Sequence, residues 1–234
     1  MKLVTFKLHG QERVGALERD LVVDLGAARE LYLSEQAEEA HVPIPKEPIL
    51  FSKPNTAIVG PDDFIAYPKI SSQVDYEIEL AAIVRKGGRD ISELDAFVHV
   101  GEYTAFNDIS ARDKQFGDKQ WFRGKNWDTF APTGPCLVLS DQMSDPHRLK
   151  MELRVNGEVR QSGTTANMIF KIPQIIAFVS SVIALQPGDI IATGTPAGVG
   201  FYAKPEKRLL KPGDLIEAEI ESLGVLRNRV ISAE

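Results

Sequence analysis

The chain has 234 residues, 43% of them apolar and 26% charged, and a formal net charge of −6. This is an ordinary composition for a soluble globular protein, and it argues against disorder. The acidic balance and the lack of a basic run exclude the electrostatic footprint of a nucleic-acid binder, and the single cysteine, Cys136, excludes an intramolecular disulfide.

The elements are read in chain order. Leu3–Leu8, Val14–Leu17 and Leu21–Leu25 read as short strands, each bounded by glycine or charge. The first of them alternates and lacks the apolar centre and cleavage site of a signal peptide. Residues 26–40 have helical proportions of Ala, Leu and Glu. Pro43, Pro45, Pro48, Pro54, Pro61 and Pro68 then forbid helix and suit an extended chain. A boundary near residue 45 separates a small N-terminal β/α appendage, 1–45, from a larger domain, 46–234.

Val74–Val84 is the clearest strand, Leu94–His99 a helix and Tyr103–Ile109 another strand. Arg112–Asn126 is polar and contains glycine, so it reads as a loop. Gly134 and Pro135 before Cys136, with Leu137 and Val138 after it, suggest a buried structural thiol. Asn156-Gly157, between alternating runs, is a strong hairpin signal. Ile172, Ile175, Ile176, Val179, Val182 and Ile183 follow a helical period, in a stretch too short to cross a bilayer at ~20 residues. Leu185–Ile191 and Leu210–Ile216 repeat one phrase, in which Pro-Gly makes a turn that launches a strand. Strict β-α alternation is absent. The fold class is α+β, β-rich, with few helices.

The chemistry concentrates in Asp75-Tyr76-Glu77-Ile78-Glu79-Leu80. Side chains alternate faces along a strand, so Asp75, Glu77 and Glu79 share one. Two readings stand: an exposed acidic face on an edge strand, or a cation site. Asp108, where an apolar run meets a polar loop, supplies a further carboxylate at a strand end. With oxygen donors and no Cys or His cluster nearby, the hard ions Mg²⁺, then Mn²⁺ or Ca²⁺, suit the second reading. His9, His41, His99 and His147 lie apart from these phrases and read as surface or satisfied core residues.

The phrases DYEIEL, FNDISARDKQ, QWFRGKNWDTFAPTGP, VNGEVRQSGTTANMIF and LQPGDIIATGTPAGVG follow one another in this order. Together they resemble the catalytic domain of the fumarylacetoacetate hydrolase family, from about Pro48 to Val230. The resemblance implies a β-rich mixed-sheet roll. It implies Glu77, Glu79 and Asp108 as ligands of Mg²⁺, with Asp75 outside the ligand set. Lys125 is implied beside metal and substrate, Arg112 and Gln115 as substrate contacts, and Thr195 at the substrate carboxylate. Family members commonly form homodimers, and that expectation carries over. Many also carry a lid segment, Gly-x-Asn-Tyr-x-x-His-x-x-Glu. Here Ala37-Glu38-Glu39 resembles its end, but Gln36 stands where the histidine would fall. Glu39 is kept as a candidate catalytic residue, no role passes to His41, and lid-dependent hydrolysis is disfavoured.

The resemblance therefore implies an Mg²⁺-dependent enzyme acting on a small 2-oxo acid or enol through a metal-stabilised enolate, while composition and the absence of a signal or spanning segment suggest a cytoplasmic location with no nucleic-acid or membrane partner. The favoured reaction is isomerisation, or a related decarboxylation, of a 2-hydroxyhepta-2,4-diene-1,7-dioate type of compound in aromatic catabolism. Acylpyruvate hydrolysis and oxaloacetate decarboxylation follow. A catalytically silent metal-binding protein is the alternative from another class.

Overall fold

The computed structural model describes residues 45–117 and 120–233, together with the strand backbones at 3–8, 11–16 and 22–24. β1 (Leu3–Leu8) and β2 (Gln11–Ala16) form an antiparallel ladder of their own. There follow β3 (Val22–Asp24), β4 (Phe51–Lys53), β5 (Ile58–Val59), β6 (Phe64–Tyr67), β7 (Val74–Asp75) and β8 (Ile78–Val84). Helix α1 (Ala96–His99) leads into β9 (Val100–Asn107) and the short β10 (Ser110–Ala111). α2 (Arg112–Gly117) and α3 (Phe122–Lys125) precede β11 (Ala131–Leu139) and the hairpin of β12 (Lys150–Val155) and β13 (Glu158–Thr164). α4 (Ile172–Val182), β14 (Ile190–Ala192), β15 (Leu215–Ile220) and β16 (Gly224–Ser232) complete the order.

Two sheets carry the fold. The larger has seven strands in the order β4-β3-β14-β8-β9-β11-β5, mixing parallel and antiparallel pairs. The smaller has five, in the order β13-β12-β15-β16-β6. β3, from the first 45 residues, thus adds a strand to the main sheet. The β-rich α+β class stands as expected, with four short helices among the described residues.

The core lies between the sheets and beneath α4. Ile78, Leu80 and Ala82 of β8, Leu153 and Val155 of β12, Ile216 and Ala218 of β15, and Ile175, Ile176 and Val179 of α4 join one buried cluster. α4 buries Ile172, Ile175, Ile176 and Val179 of the predicted stripe, whereas Val182 is exposed and Ile183 lies just past the helix end; Gln174 accepts the Lys171 N–H at 2.8 Å to close the first turn. At the hairpin, Asn156 and Gly157 have φ of 53° and 79°, as a two-residue turn matched to strand twist requires. In the two Pro-Gly turns, Gly188 and Gly213 have φ of 96° and 100°. There Asp189 and Asp214 each accept the N–H three residues back, at 2.7 Å.

Three expectations change. The 74–84 strand is broken at Tyr76-Glu77. β7 pairs with β10, β8 pairs with β9, and the Asn107 side chain takes the Glu77 N–H at 3.0 Å. The 112–126 loop contains two short helices, whose stability comes from packing rather than propensity. Cys136 is exposed, not buried, because β11 shifts register between Gly134 and Val138 and turns Cys136 and Leu137 outward. The helix expected at 26–40 lies outside the described residues.

α2 and α3 meet where Gly124 faces Gln115. A Cβ on Gly124 would lie 2.5 Å from the Gln115 Cβ and 2.7 Å from its Cα. Gly124→Ala therefore forces the two helices apart and should cost about 1–3 kcal/mol. Urea denaturation checks this; an unchanged midpoint would contradict the packing described.

Candidate metal centre

The break at Tyr76-Glu77 builds the site. Ile78 and Leu80 of β8 point into the main core, while Glu79 shares the other face with Ala81. The Asp108 N–H donates to the Glu77 carbonyl at 2.8 Å, so the turn after β9 is fastened to the start of β8. Glu77, Glu79 and Asp108 consequently converge, each with 0% exposure, and offer oxygens that lie within 4.8 Å of one another. The exposed-edge reading of these carboxylates is thereby excluded.

Cations surround the three. Lys125 Nζ reaches Glu77 Oε2 at 2.9 Å and also contacts Asp108 Oδ2. Arg112 donates from Nε to Asp75 Oδ2 at 2.9 Å, pairs through Nη2 with Glu77, and reaches Gln115 Oε1 at 3.0 Å through Nη1. Asp75 stands behind Arg112 and accepts the Gly200 and Phe201 N–H groups at 2.8 and 3.0 Å. It buttresses Arg112 and lies outside the cluster, as expected.

Thr195 sits in the Gly194–Pro196 turn, close to Glu79, because the Gly194 N–H donates to Glu79 Oε2 at 2.7 Å. The Thr195 hydroxyl accepts from Gln161 Nε2 at 2.8 Å, which leaves its own proton to point elsewhere. The structure thus brings Glu77, Glu79, Asp108, Arg112, Gln115, Lys125 and Thr195 into one neighbourhood. Glu39 and His41 lie outside the described residues. His99 and His147 are structural: His99 Nδ1 meets the Lys86 carbonyl at 2.6 Å, and His147 Nε2 accepts the Ile172 N–H at 3.1 Å.

Two residues escaped the sequence reading. Lys53, at the end of β4, is fully buried and pairs with Asp108 Oδ1 at 2.7 Å. Gln161 accepts the Ile78 N–H at 3.0 Å and donates to both Thr195 and the Pro196 carbonyl, tying β8 to the turn that carries Thr195. Lys53 lies in the proline-rich stretch, where a lysine looks solvated. Gln161 had a signal, being the polar centre of one of the quoted phrases.

Do these residues fit a cation? Glu79 Oε1 is buried and has no hydrogen-bond partner among the described residues. An orphaned buried carboxylate oxygen is costly, and it is rare without a reason. Asp75, Glu77, Glu79 and Asp108 face Lys53, Arg112 and Lys125, so in ionised form the buried charges carry one negative in excess. A hard divalent cation answers both facts. Burial raises the Glu79 carboxyl well above its usual range, and Asp108 and Glu77 add to the effect. Burial also raises Glu77, against the pull of Arg112 and Lys125.

A β-rich fold with a buried, oxygen-only acidic cluster defines a protein able to hold a divalent cation. The fumarylacetoacetate (FAA) hydrolase C-terminal model matches residues 22–231. The chain belongs to the fumarylacetoacetate hydrolase family. It is 51% identical over 200 residues to a Bos taurus protein named oxaloacetate tautomerase FAHD2A, mitochondrial, covering 85% of this chain and 63% of that one. The chain thus spans under two thirds of that relative's length. A structure of a probable 2-hydroxyhepta-2,4-diene-1,7-dioate isomerase from Mycobacterium abscessus superposes with a TM-score of 0.79 at 40% identity, covering 92% of this chain and 76% of that one. A fumarylpyruvate hydrolase from Pseudomonas aeruginosa, in complex with Mn²⁺ and pyruvate, gives 0.81 at 31% identity, covering 99% and 97%.

The raised carboxyls set a pH dependence. A carboxyl raised in the fold contributes stability that is fully present below its unfolded value of about 4.3 and is lost as pH climbs through the folded value. A cation binds the ionised form and so restores stability on the alkaline side. The rise in Tm on adding Mg²⁺ should be larger near pH 8 than near pH 5.5, reaching the equivalent of about 2.7 kcal/mol at a hundredfold excess over Kd. Scanning calorimetry checks this; a gain that shrinks with rising pH contradicts it.

Proposed function

We propose that the chain is a metal-dependent isomerase that interconverts the enol and keto forms of a short 2-oxo dicarboxylate, with oxaloacetate the first compound to test. The observation that carries this reading is the meeting of Glu77, Glu79 and Asp108 with Lys125 in one water-excluded cluster. The 51% identity to a protein named oxaloacetate tautomerase supports the choice of substrate.

A cation held by Glu77, Glu79 and Asp108 supplies Lewis-acid stabilisation of negative charge on a substrate oxygen; Mg²⁺ and Mn²⁺ suit the donor set best. The chain's own residues do the rest. Lys125 brings a buried positive charge and a proton to the oxygen at C2, where charge develops as a proton leaves C3. Arg112, locked between Asp75 and Glu77, fixes Gln115 through its Oε1. That leaves the buried Gln115 Nε2, which has no partner among the described residues, to donate to the substrate. The Thr195 hydroxyl, its oxygen engaged by Gln161, turns its proton toward a substrate carboxylate. Tautomerisation consumes no water, so it needs no base to activate water; the proton that leaves C3 still needs an acceptor. Glu39 is retained as a candidate base for the C3 proton.

The same machinery suits the isomerisation of a 2-hydroxyhepta-2,4-diene-1,7-dioate. The 40% identity to a probable isomerase of that compound keeps this as the second reading. Assembly as a homodimer is part of the proposal, as is a cytoplasmic location. No helix among the described residues is long and apolar enough to cross a membrane.

The test follows the loss of enol absorbance from oxaloacetate with and without Mg²⁺. We expect metal-dependent acceleration, lowered about 10²–10³-fold by Lys125→Met and abolished with metal binding by Glu77→Gln. Faster turnover of the seven-carbon diene-dioate would favour the second reading. Metal binding without turnover of either compound would sink the proposal in favour of a silent metal-binding protein.

A further inference from the structure

Among the described residues, Lys53 is the one charged residue at the cluster for which the reading above has no use. Its side chain has 0% exposure, and a buried ammonium needs partners. Nζ donates to the carbonyls of Phe130 at 2.9 Å, Ile109 at 3.2 Å and Lys125, and pairs with Asp108 Oδ1 at 2.7 Å. Those carbonyls lie at the entry to β11, in the turn after Asp108 and at the end of α3. The ammonium is therefore pinned by three separate segments and cannot follow the carboxylate if it rotates.

The two oxygens of Asp108 thus differ. Both meet an ammonium, but Oδ2 faces Lys125, which it shares with Glu77 across the cluster, while Oδ1 forms an ion pair with the Lys53 ammonium that the three carbonyls hold. We propose that Lys53 sets which cation the cluster accepts, by withholding one oxygen of Asp108. This rests on the metal-site reading above and extends it to selectivity.

The argument is one of coordination. Mg²⁺ needs a near-octahedral set, takes single oxygens from carboxylates and fills its remaining positions with water. Ca²⁺ is larger, takes six to eight oxygens and readily draws both from one carboxylate. A carboxylate with one oxygen tied to a fixed ammonium gives its metal a single oxygen, which suits the smaller ion. The charge of Lys53 also opposes any divalent cation on Asp108, so binding becomes weaker and more discriminating together. Lys53 acts through Asp108 and is a positioning residue.

Calorimetric titration of the metal-stripped protein with Mg²⁺ and with Ca²⁺ tests this. The proteins are the wild type, Lys53→Met, which keeps the stem without the charge, and Lys53→Arg, which keeps the charge. Should Lys53→Met fail to fold, Lys53→Gln removes the charge yet retains N–H donors for the carbonyls. We expect the ratio of Ca²⁺ to Mg²⁺ affinity to rise about tenfold in Lys53→Met or Lys53→Gln and to stay near the wild-type ratio in Lys53→Arg. A merely structural lysine would lower the Tm and weaken both metals alike. An unchanged ratio, with both metals still bound, overturns the inference but leaves the metal site standing. Failure of the wild type to bind either metal overturns both.

Discussion

The structure depends on keeping opposite charges together out of water. Four carboxylates and three cations lie fully or almost fully buried between the start of β8, the end of β9 and the loops that close over them. Each ion alone would carry a desolvation penalty of several kcal/mol. The penalties are offset only because each charge meets a partner of opposite sign or several backbone dipoles. Asp75 takes two N–H groups and Arg112. Lys53 takes three carbonyls and Asp108. Among the described residues Glu79 is the member left with an unmatched oxygen, and this points to a cation. The local backbone follows from the same constraint. The break at Tyr76-Glu77, the side-chain clamp by Asn107 and the packing of α2 on α3 all serve to aim these groups inward.

With a divalent cation bound, as proposed, such a cluster would attract anions. A bound divalent cation would turn its single excess negative charge into a single positive one, and the proposed dicarboxylate substrate would reverse the sign again. A low-dielectric surround strengthens each of these changes relative to water. Enol–keto chemistry, which develops charge on one oxygen, profits from such a setting without needing a nucleophile.

Much of this was legible in the sequence, and the residues show why. Glu77 and Glu79 lie two apart, so alternation suggested a shared face, and the pair does converge although the strand breaks at Tyr76-Glu77 and Glu77 stands just before β8. Asn156-Gly157 and the two Pro-Gly turns carry their geometry in their residue types, and the α4 stripe carries its period. What escaped depends on distant partners. Lys53 lies 72 residues from the Lys125 carbonyl it binds, and nothing local separates it from a solvated loop lysine. The helices at 112–117 and 122–125 are too short to show a period and are stabilised by contact between Gly124 and Gln115. Cys136 was misread because its apolar neighbours suggest burial, whereas the register shift in β11 leaves it exposed.

The central claim is that Glu77, Glu79 and Asp108 together hold a divalent cation. Crystals of the protein grown with Mn²⁺ test it most directly, through the anomalous scattering of the metal. The account predicts one strong peak bonded to a carboxylate oxygen of all three residues, including the Glu79 oxygen that lacks a partner among the described residues. A saturated crystal with no peak at that position, and with Glu79 still unpartnered, would contradict it.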